Sequence, residues 1–375
     1  MNPTLLTGLG IWDADKLPAD EFEARIEGVR EGMRATGLDA AIVHGSVLDH
    51  AALAYVSGYV PWKSWGLAVI PLEGAPWLLV PGSERDLFGM RTQSWMPDMR
   101  SHLDWSGAVD PWLAGRTGQS TAIGLAGADA AMPWVLARLE EAIAGRAALV
   151  ETPGLIARYG LRARERVAVQ EAIDIVGAAV REARHAACQG ISAFHALIRA
   201  ERAARLAGAQ DVRVMVGVDG GRLFVPLGSC EPQGASRLAG YLAVQHMGYW
   251  ADAFVADEAG ADIRYAEALL ARLLDELRPG APANALFERI RAGAEDRTLH
   301  PALEGALGRR IGLSLDEGAA IHPANGDAIE QGSVYSLAVG FEGSGIAGAM
   351  ALVTARGARR LAPREIAPFD GGLAA

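Results

Sequence analysis

Cysteine is nearly absent from this chain of 375 residues. The two thiols, Cys188 and Cys230, lie 42 positions apart and suggest no disulfide framework; they read as buried or idle groups in a reducing compartment. Basic charge is outweighed: 35 Lys and Arg face 45 Asp and Glu, for a net charge of −10. That balance argues against a nucleic-acid or anionic-membrane surface, which needs a basic stripe. No uninterrupted apolar run approaches membrane-spanning length. The N-terminus, Met1-Asn-Pro-Thr-Leu-Leu, lacks the basic flank and apolar run of a secretion signal. These absences lead to the expectation of a cytoplasmic protein. Several motifs are also missing. Gly217-Val-Asp-Gly-Gly221 has neither the lysine nor the helix of a phosphate loop, and there is no nucleophile elbow and no Cys-x-x-Cys. What remains is ample apolar material, half of all residues, enough for two packed domains.

The first 150 residues alternate between helix and strand patterns. Phe22, Ile26, Val29 and Met33 mark one helix face, with Gly37 placed to end it. Strands are expected at 39–44, 65–71, 75–80, 122–125 and 148–151, and a helix over 130–143. Pro153-Gly154 reads as a linker, giving domains at 1–154 and 155–375. Beyond it come a long helix from Glu165 to His185 and a second after Ser192, a plausible N-cap, to Leu206. Strand signals dominate 211–225 and 237–256. Helices are expected at 263–277 and 283–296, then strands at 309–315, 333–339 and 347–354. The fold class is an α/β N-terminal domain followed by an α+β domain with a curved antiparallel sheet.

The most informative stretch is a hairpin, Gly240-Tyr-Leu-Ala-Val-Gln-His-Met-Gly-Tyr-Trp-Ala-Asp252. It resembles the first metal-binding hairpin of the creatinase/aminopeptidase P/prolidase family, which runs Asp-x-Gly…Gly-Tyr-x-x-Asp with two carboxylates eleven residues apart. The resemblance extends along the chain. Gly160-Leu-Arg-Ala-Arg-Glu165 is similar to the family's entry into its catalytic domain, and Gly190-Ile-Ser192 to its Pro-Gly-Val-Ser. Gly308-Arg-Arg-Ile-Gly-Leu-Ser-Leu-Asp-Glu317 aligns without gaps to Gly-His-Gly-Ile-Gly-Leu-x-x-His-Glu. Ile329 to Gly340 continues the match. The resemblance implies a small N-terminal α/β domain, a C-terminal pita-bread domain and a homodimer in which one subunit's N-domain can cap the other's pocket.

In that family two aspartates, a histidine and two glutamates hold two metal ions that activate a bridging water. Carried over position by position, the first aspartate is Tyr241, the second is Asp252, the histidine is Arg309, the first glutamate is Ala338, and the last falls near Gly348. One candidate ligand survives. Arginine stays protonated, cannot coordinate, and repels a dication. The expectation is therefore no dinuclear metal site and no cofactor. Creatinase is a metal-independent relative, but its upstream histidine falls near Phe224 and its glutamate at Ala338, so creatine is a poor substrate candidate.

Tyr241, Asp252 and Arg309 instead form a candidate polar cluster. Arg309 suits a carboxylate and Asp252 an ammonium, or acid–base work. An ion pair filling the vacated metal position is the plainer reading, and the two weigh equally. Eleven residues across a hairpin lets the turn bring Tyr241 and Asp252 together, although simple strand parity would not. His246 is a candidate proton-transfer group, against an exposed histidine at the hairpin tip. Glu317, beside Asp316, is a candidate acid or base, against a solvated loop carboxylate. Substrate contacts are assigned to Arg309, to His300, near where the family often carries a histidine before its Gly-His-Gly motif, to His322 at the pocket rim, to Tyr335, and to Trp62 and Lys63 in the most loop-like part of the N-domain. His44, Asp49 and His50 could face the same cleft. Six tryptophans crowd between Trp62 and Trp112, for which core and interface packing is the plainer account.

Three functions follow. The first is a metal-independent, creatinase-like hydrolase or lyase acting on a C–N bond of a small amino-acid-like or guanidino substrate. The second is a non-catalytic binding protein on the same scaffold. The third, an Xaa-Pro-type metallopeptidase, is disfavoured by the missing ligands.

Overall fold

The computed structural model describes residues 10–61, 64–103, 105–113, 121–156, 160–228, 230–235, 237–256, 261–294 and 296–365. The chain divides into two compact units, Met1–Arg158 and Tyr159–Ala375. No helix among the described residues is long and apolar enough to cross a membrane.

The first unit begins with α1 (Ala19–Thr36). Its Phe22, Ile26, Val29 and Met33 recur at helical spacing and are buried, and Gly37 closes it in the left-handed region at φ 70°. There follow β1 (Ala40–Ser46), α2 (Ala51–Ser57), β2 (Trp65–Pro71), β3 (Trp77–Val80), α3 (Glu84–Met90), β4 (Met99–Ser101), α4 (Trp105–Leu113), β5 (Ala122–Ala126), α5 (Pro133–Ile143) and β6 (Ala148–Glu151). They build a six-stranded mixed sheet in the order β4-β3-β2-β1-β5-β6. Both faces of β1 are buried, so it reads as a continuous apolar run. Ala41 and Val43 pack with α1, α2 and α3, while Ala40 and Ile42 pack with α4 and α5.

The second unit opens with α6 (Ala163–Cys188) and α7 (Ala193–Leu206). The Glu165 carboxylate accepts the Arg162 backbone N–H at 2.8 Å, and Ser192 caps α7 through the His195 N–H. Next come β7 (Asp211–Val218), β8 (Leu223–Pro226), β9 (Ala239–His246), β10 (Tyr249–Ala256), α8 (Ala261–Glu276), α9 (Ala283–Ala292), β11 (Gly308–Arg310), β12 (Val334–Gly340), β13 (Ile346–Thr354) and β14 (Gly357–Leu361). The expected curved sheet consists of two four-stranded antiparallel sheets, β10-β9-β7-β8 and β11-β12-β13-β14. In the second sheet Tyr335, Leu337 and Val339 point into a core shared with α8 and α9. Tyr335 was expected to touch substrate; strand alternation instead buries it on the helix-covered face, opposite Ser336 and Ala338. Burial there pushes its phenol up to about 12. Cys188 and Cys230 are both free and exposed, so of the two readings, buried or idle, the structure overturns burial.

Candidate functional site

The hairpin β9–β10 turns on two residues, Met247 at φ 51° and Gly248 at φ 82°. Positive φ at both central positions is the type I′ turn, whose twist matches that of the flanking strands. The turn fixes the register: Tyr241 lies opposite Phe254 and Asp252 opposite Ala243. Tyr241 and Asp252 are therefore diagonal neighbours on one face. Strand parity does bring them together, contrary to the expectation, because a two-residue turn places cross-strand partners on the same side.

The Tyr241 hydroxyl donates to Asp252 Oδ2 at 2.9 Å. Arg309, on β11, reaches both from the second sheet. Its Nη2 donates to Asp252 Oδ2 at 3.1 Å and to the Tyr241 hydroxyl oxygen at 3.0 Å. Its Nε donates to the Leu315 carbonyl at 2.9 Å, which holds the plane of the guanidinium. Arg309 pairs in register with Ser336, two positions from Ala338, and Ala338 pairs with Gly348. Four of the five positions that resemble metal ligands thus carry Tyr241, Arg309, Ala338 and Gly348, and the fifth, Asp252, is spent on an ion pair. The Asp252 side chain is 3% exposed, whereas 35% of Arg309 reaches solvent. Burial, reinforced by the Asp252 charge, holds the Tyr241 phenol well above its ordinary range, so it is a neutral donor. Burial works against the Arg309 charge, but the Asp252 and Asp316 charges and the bond to the Tyr241 oxygen outweigh it and raise the guanidinium above its usual value.

An aromatic and aliphatic wall stands beside this cluster. The Phe254 ring lies 5.1 Å from that of Tyr241 and 6.0 Å from that of Phe224. Both phenylalanines pack on Leu303, Ala338 and Ile346. A Cβ at Gly348 would sit 3.4 Å from Phe254. Sequence reasoning missed Phe254, although a signal existed: two residues past Asp252 on the same strand, it had to share its face. The donors present do not fit a dinuclear metal centre. Among the described residues no group of three or more His, Cys, Asp or Glu is arranged to hold a metal ion.

The other candidates lie apart. His246 ends β9 on the face opposite Tyr241, with Nδ1 at 3.0 Å from the Gly208 carbonyl and Nε2 at 3.1 Å from Glu171. It is neither joined to the cluster nor an exposed tip residue. His300 is buried, its Nε2 donating to the Gly221 carbonyl at 2.8 Å and its Nδ1 accepting the Ala302 N–H at 3.1 Å. Both nitrogens are occupied, and burial pulls its pKa below the usual histidine value. Its ring lies 5.8 Å from Phe224, behind the wall. The Glu317 side chain is 5% exposed; its Oε1 accepts the Leu313 and Ser314 N–H groups at 2.8 and 3.3 Å, tying its own loop. His322 accepts the Ala324 N–H at 3.1 Å and tilts against Phe287. Trp62 and Lys63 lie outside the described residues. In the first unit Trp65 stacks on Trp105 at 5.7 Å, Trp95 on Phe22 at 5.7 Å, and Trp77 meets Trp112 edge-on at 6.4 Å, in line with packing roles.

Residues 25–161 match the family described as the Creatinase/Prolidase N-terminal domain. No curated protein sequence matches significantly. Among solved structures, the prolidase from Pyrococcus horikoshii OT3 superposes with a TM-score of 0.70 at 16% identity, covering 92% of this chain and 100% of that one. The X-Pro aminopeptidase from Thermotoga maritima MSB8 gives 0.72 at 18%, covering 91% and 98%. The His350Ala form of Escherichia coli aminopeptidase P gives 0.70 at 12%, covering 91% and 94%.

Proposed function

We propose that this chain, whose N-terminal unit is a creatinase/prolidase N-terminal domain and whose fold is the pita-bread fold of prolidases and aminopeptidase P, is a hydrolase that works without metal. Its substrate would be a small amino-acid-like or guanidino molecule cleaved at a C–N bond, by hydrolysis or elimination. The observation that carries this reading is the Arg309–Asp252–Tyr241 cluster at the positions that resemble metal ligands. Arg309 supplies there the positive charge that the ions supply in the family. Its Nε and Nη2 are engaged, which leaves Nη1 as the donor for a substrate carboxylate. Asp252 is the carboxylate of the cluster, able to orient a substrate N–H or take a proton from water, and Tyr241, held neutral, donates. The Phe224 and Phe254 wall suits an apolar portion of the substrate.

Two observations favour a second reading, a binding protein without turnover. Asp252 Oδ2 accepts two hydrogen bonds, and the described histidines considered above, His246, His300 and His322, all make bonds elsewhere. A metallopeptidase is disfavoured by the donor set. Two arms decide. Metal content is measured on purified protein, and turnover of amino acids, guanidino acids and Xaa-Pro dipeptides is followed by NMR with chelator and with added manganese. Turnover that survives chelation supports the proposal. Stoichiometric metal with chelator-sensitive activity overturns it, and saturable binding without product selects the second reading. We further propose that the chain acts as a homodimer in the cytoplasm, which light scattering and fractionation test.

A further inference from the structure

We propose that a cleft between α6 and the second sheet is a binding site for a small molecule with an aliphatic body and one carboxylate. The cleft has a volume of about 180 Å³, room for about six water-sized groups. Val334 of β12, Leu352 of β13 and Arg359 of β14 are successive cross-strand partners, and Leu361 lies two residues past Arg359, so the four share one face of the sheet. Across from them Arg166, Val169 and Gln170 of α6 recur at helical spacing and complete the cleft. Among the described residues, none of the Arg309 cluster or of its Phe224 and Phe254 wall lines it.

Val169, Val334 and Leu352 are buried and, with half-buried Leu361, form an aliphatic floor. The charges at the rim are of one sign: Arg166, Arg359 and Arg364 line the cleft, and among the described residues no carboxylate does. Arg364 is already neutralised. Its Nε and Nη2 donate to Asp174 Oδ2 at 2.8 and 2.6 Å, and its backbone N–H to Oδ1 at 2.8 Å. Glu171, the other acid that acts on Arg364, lies 3.1 Å from His246. The remaining two guanidiniums have no acidic partner among the described residues. Arg166 donates Nε to the Leu161 carbonyl at 2.9 Å, which fixes its plane and leaves both Nη groups open. Arg359 has no hydrogen-bond or ion-pair partner among the described residues, so its five N–H donors are open to an anion. Two such groups beside an aliphatic floor suit the paired oxygens of a carboxylate and a hydrocarbon body. One end of the cleft is built in advance. Gln170 Nε2 donates to the Ala362 carbonyl at 3.0 Å, and Gly177 admits Pro363, into which a Cβ there would run. These contacts and the Asp174 bonds hold residues 362–364 against α6, so a ligand does not have to order that wall.

The test is a saturation-transfer NMR titration of the full chain with hexanoate, against hexanamide as the uncharged control. Hexanoate should saturate with a dissociation constant of about 1 mM, the strength that so small a ligand supports. Hexanamide should bind about tenfold more weakly for want of the charge-assisted bonds. Arg359→Gln should weaken hexanoate about tenfold, whereas Arg360→Gln, on the opposite face of the same strand, should leave it unchanged. Val167 lines the mouth and is 55% exposed, so Val167→Trp fills the cleft from outside the core and should abolish saturable binding. Arg309→Gln should leave hexanoate binding unchanged, which separates this cleft from the cluster on which the proposed function rests. No saturable binding in the parent protein, equal binding of hexanamide, or binding that survives Val167→Trp and vanishes in Arg309→Gln overturns the proposal. Circular dichroism of each variant confirms that a lost signal is not lost folding.

Discussion

At the residue scale the cluster is a charge pair whose members depend on each other. Arg309→Leu strands the Asp252 carboxylate at a site with 3% exposure. The loss is about 3 kcal/mol, the low end for a broken buried pair, because Arg309 itself is a third exposed. Adding Asp252→Leu removes the stranded charge, and the double variant should regain most of that loss in a urea titration. Tyr241→Phe removes two hydrogen bonds to charged partners, Asp252 and Arg309, and should cost about 2 kcal/mol. A second residue-scale prediction concerns His44 in the first unit. Neither ring nitrogen has a partner at hydrogen-bonding geometry, although the Gly127 backbone lies close, and burial depresses its pKa below 6.5. The unfolded chain therefore binds the proton more readily. No stability is lost above the unfolded value; below it stability falls with pH until the folded ring also protonates. Thermal midpoints measured between pH 7.5 and 5 should decline more steeply in the parent than in His44→Leu. The sequence made Tyr241, Asp252 and Arg309 legible because each departs from a spaced pattern at a definable position. It misplaced His246, Glu317 and His300, whose partners Glu171, the Leu313 N–H and the Gly221 carbonyl come from segments that no motif connects.

At the element scale, long periodic segments were the readable ones. α1, α6 and α7 were expected within a few residues, because several turns of apolar spacing and a Gly37 or Ser192 terminus agree. α2 and α3, at seven residues each, are under two turns and show no period, and α4 carries an internal Pro111. β14 was missed because its Arg359 and Arg360 are exposed. β11 was expected to run to 315 and stops at Arg310, since Glu317 takes the N–H groups of Leu313 and Ser314 that a ladder would need. The hairpin that positions Tyr241 and Asp252 yields a prediction of its own. Met247 occupies the left-handed region at φ 51°, which asparagine and glycine tolerate far better. Met247→Asn should stabilise the protein by about 0.5–1 kcal/mol. Gly248→Ala, at φ 82°, should destabilise it by about 1–2 kcal/mol. Both are read from denaturant midpoints with an unchanged m-value.

At the scale of the whole molecule, the fold is matched far more closely than the sequence. Superposition on the Pyrococcus horikoshii prolidase covers 92% of the chain at 16% identity, so topology survives where few side chains do. Packing tolerates such drift because apolar residues exchange while pattern and volume are kept. A metal centre does not, since each ligand must be a donor at a fixed place. That difference is measurable on the intact protein, because any species that binds only the native state stabilises it by mass action. At a hundredfold excess over its dissociation constant a ligand contributes about 2.7 kcal/mol, a rise of roughly 5–10 °C for a unit of this size. Manganese, cobalt and zinc should give no such rise, since Arg309 repels a cation where Asp252 and Tyr241 already satisfy each other. A carboxylate ligand of the cluster should give one in the parent and not in Arg309→Gln. A manganese-dependent rise that Asp252→Asn removes would mean that Asp252 binds metal after all, and that the guanidinium yields its place.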